Sequence, residues 1–472
     1  VRPALLGLAL PAALAATAAR AAPEQDASPL PRGTVVERVA CADAPGQSYA
    51  LYLPSSFSPE RRWPILYAFD PAAQGARPVR LAAEAAERLG WIVAGSNNSR
   101  NGPMAEIQAA MQAVLRDTGA RFPLDDARIY ATGFSGGARV AAGLALGCRG
   151  CVAGVFAHGA GLPSGTQLQA AVDFAWFAAA GERDMNFPEL LELEQALEKH
   201  GARQRFRGFD GGHEWAPTPV WDEAFDWLEL LAIKDGRRQR DASLVARFLQ
   251  QATARAAGFR ERGQPLEERR ELASIVRDFE GLADTSAARL RLQELEREPG
   301  WRAELKRERR MIEEQARTVA ALQAQLLALE REAGDGQALP LAVREANALV
   351  RGLERASRPD SRIAHERALL QGFVTAMEAG RGALREKRTL AALSLFDVAA
   401  TLRPQAPGAQ AGRAQAQALA GRRSDAVKSL RRAVELGLPP AELRRLLDLD
   451  AFAGLRGEPE LGALLDAAGQ PR

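Results

Sequence analysis

Residues 127–144 read Ala127-Arg128-Ile129-Tyr130-Ala131-Thr132-Gly133-Phe134-Ser135-Gly136-Gly137-Ala138-Arg139-Val140-Ala141-Ala142-Gly143-Leu144, and this stretch decides the fold. The first six residues have the composition of a strand and the last seven that of a helix of small apolar residues. Between them lies a G-x-S-x-G. A strand that turns directly into a helix forces the central serine into a strained conformation, so its neighbours must be very small. Gly133 and Gly137 meet that need. Such a turn lifts the Ser135 hydroxyl above a sheet and sets it at a helix N-terminus, where backbone amides can hold an oxyanion.

Outward from this turn, residues 33–235 alternate between strand and helix patterns. Strands are expected at 34–39, 48–53, 63–69, 91–94, 127–132, 151–157, 173–180 and 203–209. Helices are expected at 79–89, after Pro103, at 138–144, 190–199 and 220–231. Strands separated by helices of this length imply an α/β fold, a mostly parallel sheet with helices on both faces.

A serine nucleophile needs a base, and the base needs an orienting carboxylate. The chain has four histidines. His365 lies in the helical half, His200 ends a charged helix, and His158 comes too early in the chain, although it could line a pocket. His213 sits in Asp210-Gly211-Gly212-His213-Glu214-Trp215, a glycine loop between the last strand and the last helix, and is the expected base. The acid is expected on the loop after the preceding strand, Gly181-Glu182-Arg183-Asp184-Met185-Asn186, with Asp184 favoured over Glu182 and Asp210. Gly136 supplies one expected oxyanion amide. The second comes from the loop after Phe69, where Pro71 has no amide hydrogen, so Asp70 or Ala72 must donate. Asn97, Asn98 and Arg100 lie on a polar loop at the same sheet end. They bind substrate or simply form a turn.

These motifs resemble the α/β-hydrolase superfamily, particularly secreted esterases of the feruloyl-esterase and polyhydroxybutyrate-depolymerase type. The resemblance rests on Gly133 to Gly137, on the turn from Gly181 to Asp184, and on Gly212-His213-Glu214-Trp215. It covers less than half of the chain. It implies an acyl-enzyme on Ser135 that water cleaves, a small-molecule or polymeric ester as substrate, and no cofactor. A peptidase with the same triad is the nearest variant. A helical scaffold carrying an inactive hydrolase domain is the reading from another class. Residues 33–235 are expected to fold and work alone.

After residue 235 strand patterns stop. Residues 236–370 read as a helical region with one long helix, in which Leu305, Ile312, Val319 and Leu326 recur every seven positions. A helix packed in an array fits better than a coiled coil, because Glu308 and Gln315 occupy the companion positions. In 371–472, Ala392, Phe396, Ala399 and Pro404 are matched 34 residues later by Ala426, Leu430 and Ala433, with Pro439 displaced by one. This resembles tetratricopeptide repeats, which implies a protein partner for this region.

The N-terminal residues have a basic start, an apolar run at 4–18 and the small-x-small site Ala19-Arg20-Ala21. They read as a 1–21 export signal followed by a 22–32 linker, giving a periplasmic or secreted protein without a stable membrane anchor. Lys plus Arg number 62 against 59 Asp plus Glu, and the two signs are interleaved, which excludes a nucleic-acid surface. Cys148 and Cys151 form a C-x-x-C without further ligands for a metal, so a structural disulfide is expected, within the pair or from one of them to Cys41.

Overall fold

The computed structural model describes residues 30–168, 172–331, 338–455 and 464. The expected leader, most of the linker that follows it and most of the last seventeen residues lie outside that set. The chain divides into two compact units, one ending at Lys306 and the other starting at Arg307.

The first unit carries β1 (Val35–Cys41), β2 (Ala44–Tyr52), β3 (Trp63–Phe69), α1 (Ala76–Leu89), β4 (Ile92–Ser96), α2 (Met104–Arg121), β5 (Leu124–Phe134), α3 (Gly136–Gly147), β6 (Gly154–His158), β7 (Ala175–Gly181), α4 (Phe187–Lys199), β8 (Gln204–Phe209), α5 (Thr218–Lys234), α6 (Ala242–Glu261), α7 (Pro265–Asp278), α8 (Ser286–Arg297) and the start of α9 (Gly300–Arg331). The strands form one sheet in the order β1-β2-β4-β3-β5-β6-β7-β8. β1 and β2 pair antiparallel, as do β2 and β4, while every pairing from β4 to β8 is parallel. This is the mostly parallel sheet that the sequence implies. β3, β4, β6 and β7 are buried at every position, as strands covered by helices on both faces must be. Trp91 stacks on Tyr130 with ring centroids 4.2 Å apart, and Trp221, Phe225 and Trp227 of α5 extend the same core.

The unit holding the sheet does not stop at residue 235. Along α5 every residue from Val220 to Ile233 is buried except Asp222. A helix buried all round needs a cover on its far side as well as a sheet beneath it. Leu244 and Phe248 of α6, Leu272 and Ile275 of α7, and Leu295 of α8 supply that cover within one continuous core. Where charges are buried they are paired. Arg205 and Arg207 of β8, both 6% exposed, meet Glu223 of α5 and Glu271 of α7, which are 4% and 1% exposed. Arg205 Nη2 donates to Glu271 Oε1 at 2.8 Å, Arg207 Nη2 to Glu223 Oε1 at 2.6 Å and Arg255 Nη2 to Glu271 Oε1 at 3.0 Å. Arg277 Nη2 donates to the Gln204 carbonyl at 3.0 Å, so α7 also reaches the outer strand of the sheet.

The second unit continues α9 into α10 (Ala338–Arg355), α11 (Pro359–Arg385), α12 (Thr389–Leu402), α13 (Pro407–Leu419), α14 (Arg423–Glu435) and α15 (Pro440–Leu447), with a closing 3-10 turn at Asp450–Leu455. α9 buries Val319, Leu322, Leu326 and Leu329, a stripe of helical spacing that packs in a helical array. Ala392, Phe396 and Ala399 of α12, and Ala426, Leu430 and Ala433 of α14, are all 0% exposed. The Phe396 ring is clasped by two glycines: a Cβ on Gly380 or Gly412 would come within 2.9 or 2.4 Å of it. No helix among the described residues is long and apolar enough to cross a membrane.

Burial alone would raise the Glu271 carboxyl, but Arg205, Arg207 and Arg255 outweigh it and bring it from 4.5 to about 2. A depressed carboxyl stabilises the fold above its unfolded value and loses that contribution as pH falls. Stability against urea should therefore decline between pH 4.5 and about 2. Glu271→Ala should flatten that slope and cost about 3–5 kcal/mol at neutral pH by stranding buried guanidinium groups. A chain ending at residue 235 should be recovered insoluble and one ending at 306 soluble, since only the second keeps the α5 cover; size-exclusion chromatography of both checks this.

Candidate active site

The turn from β5 to α3 places Ser135 at φ 53°, ψ −121°, a backbone conformation that strains an L residue. Three backbone segments crowd around it. A Cβ on Gly133 would stand 2.1 Å from the Gly137 carbonyl oxygen, and one on Gly137 would stand 2.0 Å from the Phe69 carbonyl oxygen. Neither site admits a side chain. The Ser135 amide donates to the His158 carbonyl at 2.8 Å, fixing the turn to the end of β6.

From this turn the Ser135 Oγ reaches His213 Nε2 at 2.9 Å. His213 Nδ1 lies 3.0 and 2.9 Å from the two carboxylate oxygens of Asp184. A carboxylate only accepts, so Nδ1 carries the proton, which leaves Nε2 as acceptor for the serine hydroxyl. Asp184 is fully buried and also accepts from the Asn186 amide at 2.8 Å. The histidine loop is laid against the end of β7: Glu182 N donates to the Phe209 carbonyl at 2.8 Å and Arg183 N to that of Gly211 at 2.9 Å. A Cβ on Gly181 would stand 2.3 Å from the Gly212 carbonyl oxygen. Of the rival acids, Glu182 is exposed, and Asp210 is an exposed residue whose carboxylate takes Arg183 Nη1 at 2.6 Å. The structure thus brings Ser135, His213 and Asp184 into one hydrogen-bonded chain and leaves Glu182 and Asp210 outside it.

The other candidates are distributed differently. The Ala72 amide donates to Asp70 Oδ1 at 2.8 Å, so it is already engaged. The Asp70 amide lies beside the turn, its nitrogen 3.4 Å from where a Gly137 Cβ would be. The asparagines have structural occupations: Asn97 Nδ2 donates to the Glu37 carbonyl at 3.0 Å, while Asn98 accepts from Ser48 N at 2.9 Å and donates to the Gly46 carbonyl at 3.1 Å. Both hold the β1–β2 hairpin. Arg100 is exposed and bridges to Ala72. Cys148 and Cys151 form a disulfide, while Cys41 is a buried thiol pushed up to about 11 by burial and then by Asp117.

Several further residues surround the triad, and Gly159 and Asn186 among them lie outside the motifs. Gly159 has φ +61°, and a Cβ there would stand 2.7 Å from Asp184 Oδ2 and 3.2 Å from His213 Nδ1. Asn186 Nδ2 donates to the Gly159 carbonyl at 2.7 Å. Trp215 Nε1 donates to Asp70 Oδ2 at 3.1 Å, and the Phe134 ring lies 4.6 Å from the His213 ring. His158 is fully buried, 3.8 Å from the Phe156 ring and 4.7 Å from each of Trp215 and Trp221. Burial holds its imidazole well below the usual histidine range, so it stays neutral behind the triad.

No family model and no curated protein matches the sequence. Among solved structures the chain is similar to a ferulic acid esterase at 18% identity, over 40% of this chain and 94% of that one, with a TM-score of 0.34. It is similar to the S-formylglutathione hydrolase of Staphylococcus aureus at 14% identity, over 38% and 87% of the two chains, with a TM-score of 0.31. The esterase LipW of Mycobacterium marinum gives 18% identity, 41% and 81% coverage and a TM-score of 0.34. At these scores the likenesses lend no weight to a functional reading, which has to come from the residues themselves.

Gly159→Ala would drive a methyl group into the Asp184–His213 contact. We expect the low-field proton resonance of His213 Nδ1–H to disappear from the NMR spectrum. Stability should fall by more than about 1 kcal/mol, because alanine must also adopt a positive φ.

Proposed function

We propose that the protein is a serine hydrolase that cleaves carboxylic esters through an acyl-enzyme on Ser135. The observation that supports this most directly is the continuous chain from Asp184 to His213 Nδ1 and from His213 Nε2 to Ser135 Oγ, every link between 2.9 and 3.0 Å. A serine hydroxyl is a poor nucleophile until a base takes its proton during attack, and this arrangement has the base in place. Strain at Ser135 and the glycines around it fit the same role, since a hydroxyl serving only the fold would need neither.

In this reading Ser135 Oγ bonds to the ester carbonyl carbon while its proton moves to His213 Nε2. The carbonyl π pair moves to oxygen, and amides at the start of α3, that of Gly136 first, receive the charge. Asp184 stabilises the imidazolium and takes no proton. Collapse of the tetrahedral species breaks the bond to the alcohol oxygen, which leaves with the proton from Nε2. Water then repeats the sequence on the acyl-enzyme, with His213 again as base, and frees the acid and Ser135. The substrate is a small-molecule or polymeric ester. We also place the protein in an exported setting, supported by the apolar leader pattern and the Cys148–Cys151 disulfide, and assign the helical unit to partner binding on its repeat pattern.

A fluorophosphonate probe should label the purified protein stoichiometrically, and Ser135→Ala should abolish the label. Asp184→Asn, which keeps the shape but disturbs the histidine tautomer, should lower kcat on an aryl acetate by about 10⁴-fold. A wild-type protein that neither labels nor turns over such esters would leave only the helical scaffold reading.

A further inference from the structure

We infer that Asn101 is a catalytic residue, its side-chain carboxamide donating to the oxyanion beside the Gly136 amide. This rests on the hydrolase reading of Ser135. Two donors hold the oxyanion in acyl transfer of this kind, one from the residue after the nucleophile and one from the loop after β3. In this chain that loop has little to offer beyond the Asp70 amide. Pro71 has no N–H, and the Ala72 N–H is turned inward to Asp70 Oδ1 at 2.8 Å, with Gln74 N sharing the same oxygen at 3.3 Å.

The neighbouring loop fills the space. The Asn101 amide donates to the Pro71 carbonyl at 2.9 Å and Arg100 bridges to Ala72, so the end of the polar loop is bound directly to the deficient one. The Asn101 carboxamide lies against Gly136: its Oδ1 is 1.8 Å, and its Nδ2 3.0 Å, from the point where a Cβ on that glycine would stand. Any side chain at position 136 would displace it, which gives the glycine at this variable position of the motif a purpose beyond the turn. Asn101 is exposed, and among the described residues its carboxamide has no hydrogen-bond partner. Nothing therefore holds one face of the group inward. A half turn about the terminal bond exchanges oxygen and nitrogen, and a negative oxygen beside Gly136 selects the NH2. Asn97 and Asn98, four and three positions earlier, are committed to the β1–β2 hairpin and cannot serve.

The test compares Asn101→Ala, Asn101→Asp and Asn101→Gln with wild type on one aryl acetate. Alanine should lower kcat by about 10²–10³-fold with KM changed by less than about threefold, because the contact forms only as charge develops. Aspartate, the same shape without a donor, should lower kcat at least as far, and glutamine should recover part of the loss. Inhibition by an arylboronic acid, whose adduct places a negative tetrahedral centre on Ser135, should weaken in step with kcat/KM across the series. An exposed side chain leaves thermal unfolding unchanged. If wild type turns over the ester and Asn101→Ala retains kcat within about threefold, the assignment is overturned while the hydrolase reading stands. If wild type neither hydrolyses nor labels, both fall together.

Discussion

At Ser135 the backbone stands at φ 53°, ψ −121°, where an L residue is strained by about 1–3 kcal/mol, and the surrounding structure has to hold it there. It does so by crowding. The Phe69 carbonyl at the end of β3, the Gly137 carbonyl in the first turn of α3 and the His158 carbonyl at the end of β6 converge on a few ångströms of chain. The Gly137 and Phe69 carbonyls could not approach if Gly133 or Gly137 carried a side chain. Three adjacent parallel strands, β3, β5 and β6, must end in register for this to happen, and β3 and β6 both pair directly with β5. The sheet order is thus a condition of the turn, and the turn is a condition of the serine's reach to His213.

The same logic governs the acid and the base. Asp184 is fully buried, a position that would be unfavourable for a carboxylate without partners. Its oxygens take the imidazole Nδ1–H and the Asn186 amide, and Gly159 removes the methyl group that would otherwise separate them. Gly159 is itself held by Asn186 through its carbonyl. Acid, base and supporting glycine therefore form a closed set on the loops after β6, β7 and β8, and the catalytic geometry depends on loops that brace one another rather than on any single one.

Much of this is legible in the sequence because it is local. A strand, a G-x-S-x-G and a helix lie consecutively, and so does His213 in its glycine loop, so the composition of short windows marks them. Gly159, Asn186 and the Asp70–Trp215 contact are not local. Each is an ordinary residue in an ordinary loop until the fold brings it beside something 25 or more positions away. The extent of the first unit was hidden for a related reason. The charges of Glu223, Asp226 and Glu229 in α5 carry no sign in the sequence of a core beyond that helix; in the structure they are buried and paired with arginines from other elements. Charge in a sequence marks a surface only when no opposite charge folds onto it.

Asp70 shows how far one residue can join parts that the sequence keeps separate. Its Oδ1 receives the Ala72 amide and its Oδ2 the indole Nε1–H of Trp215, two residues after the base. One buried carboxylate thereby ties the loop beside the oxyanion to the loop that carries the imidazole. That tie has a chemical consequence. Its Oδ2 helps to keep the histidine loop in place, while its Oδ1 takes the Ala72 amide away from the reacting oxygen. Rigidity on one side of the serine and an engaged Ala72 amide on the other are then two results of a single carboxylate, and the Asn101 carboxamide sits over Gly136 beside it.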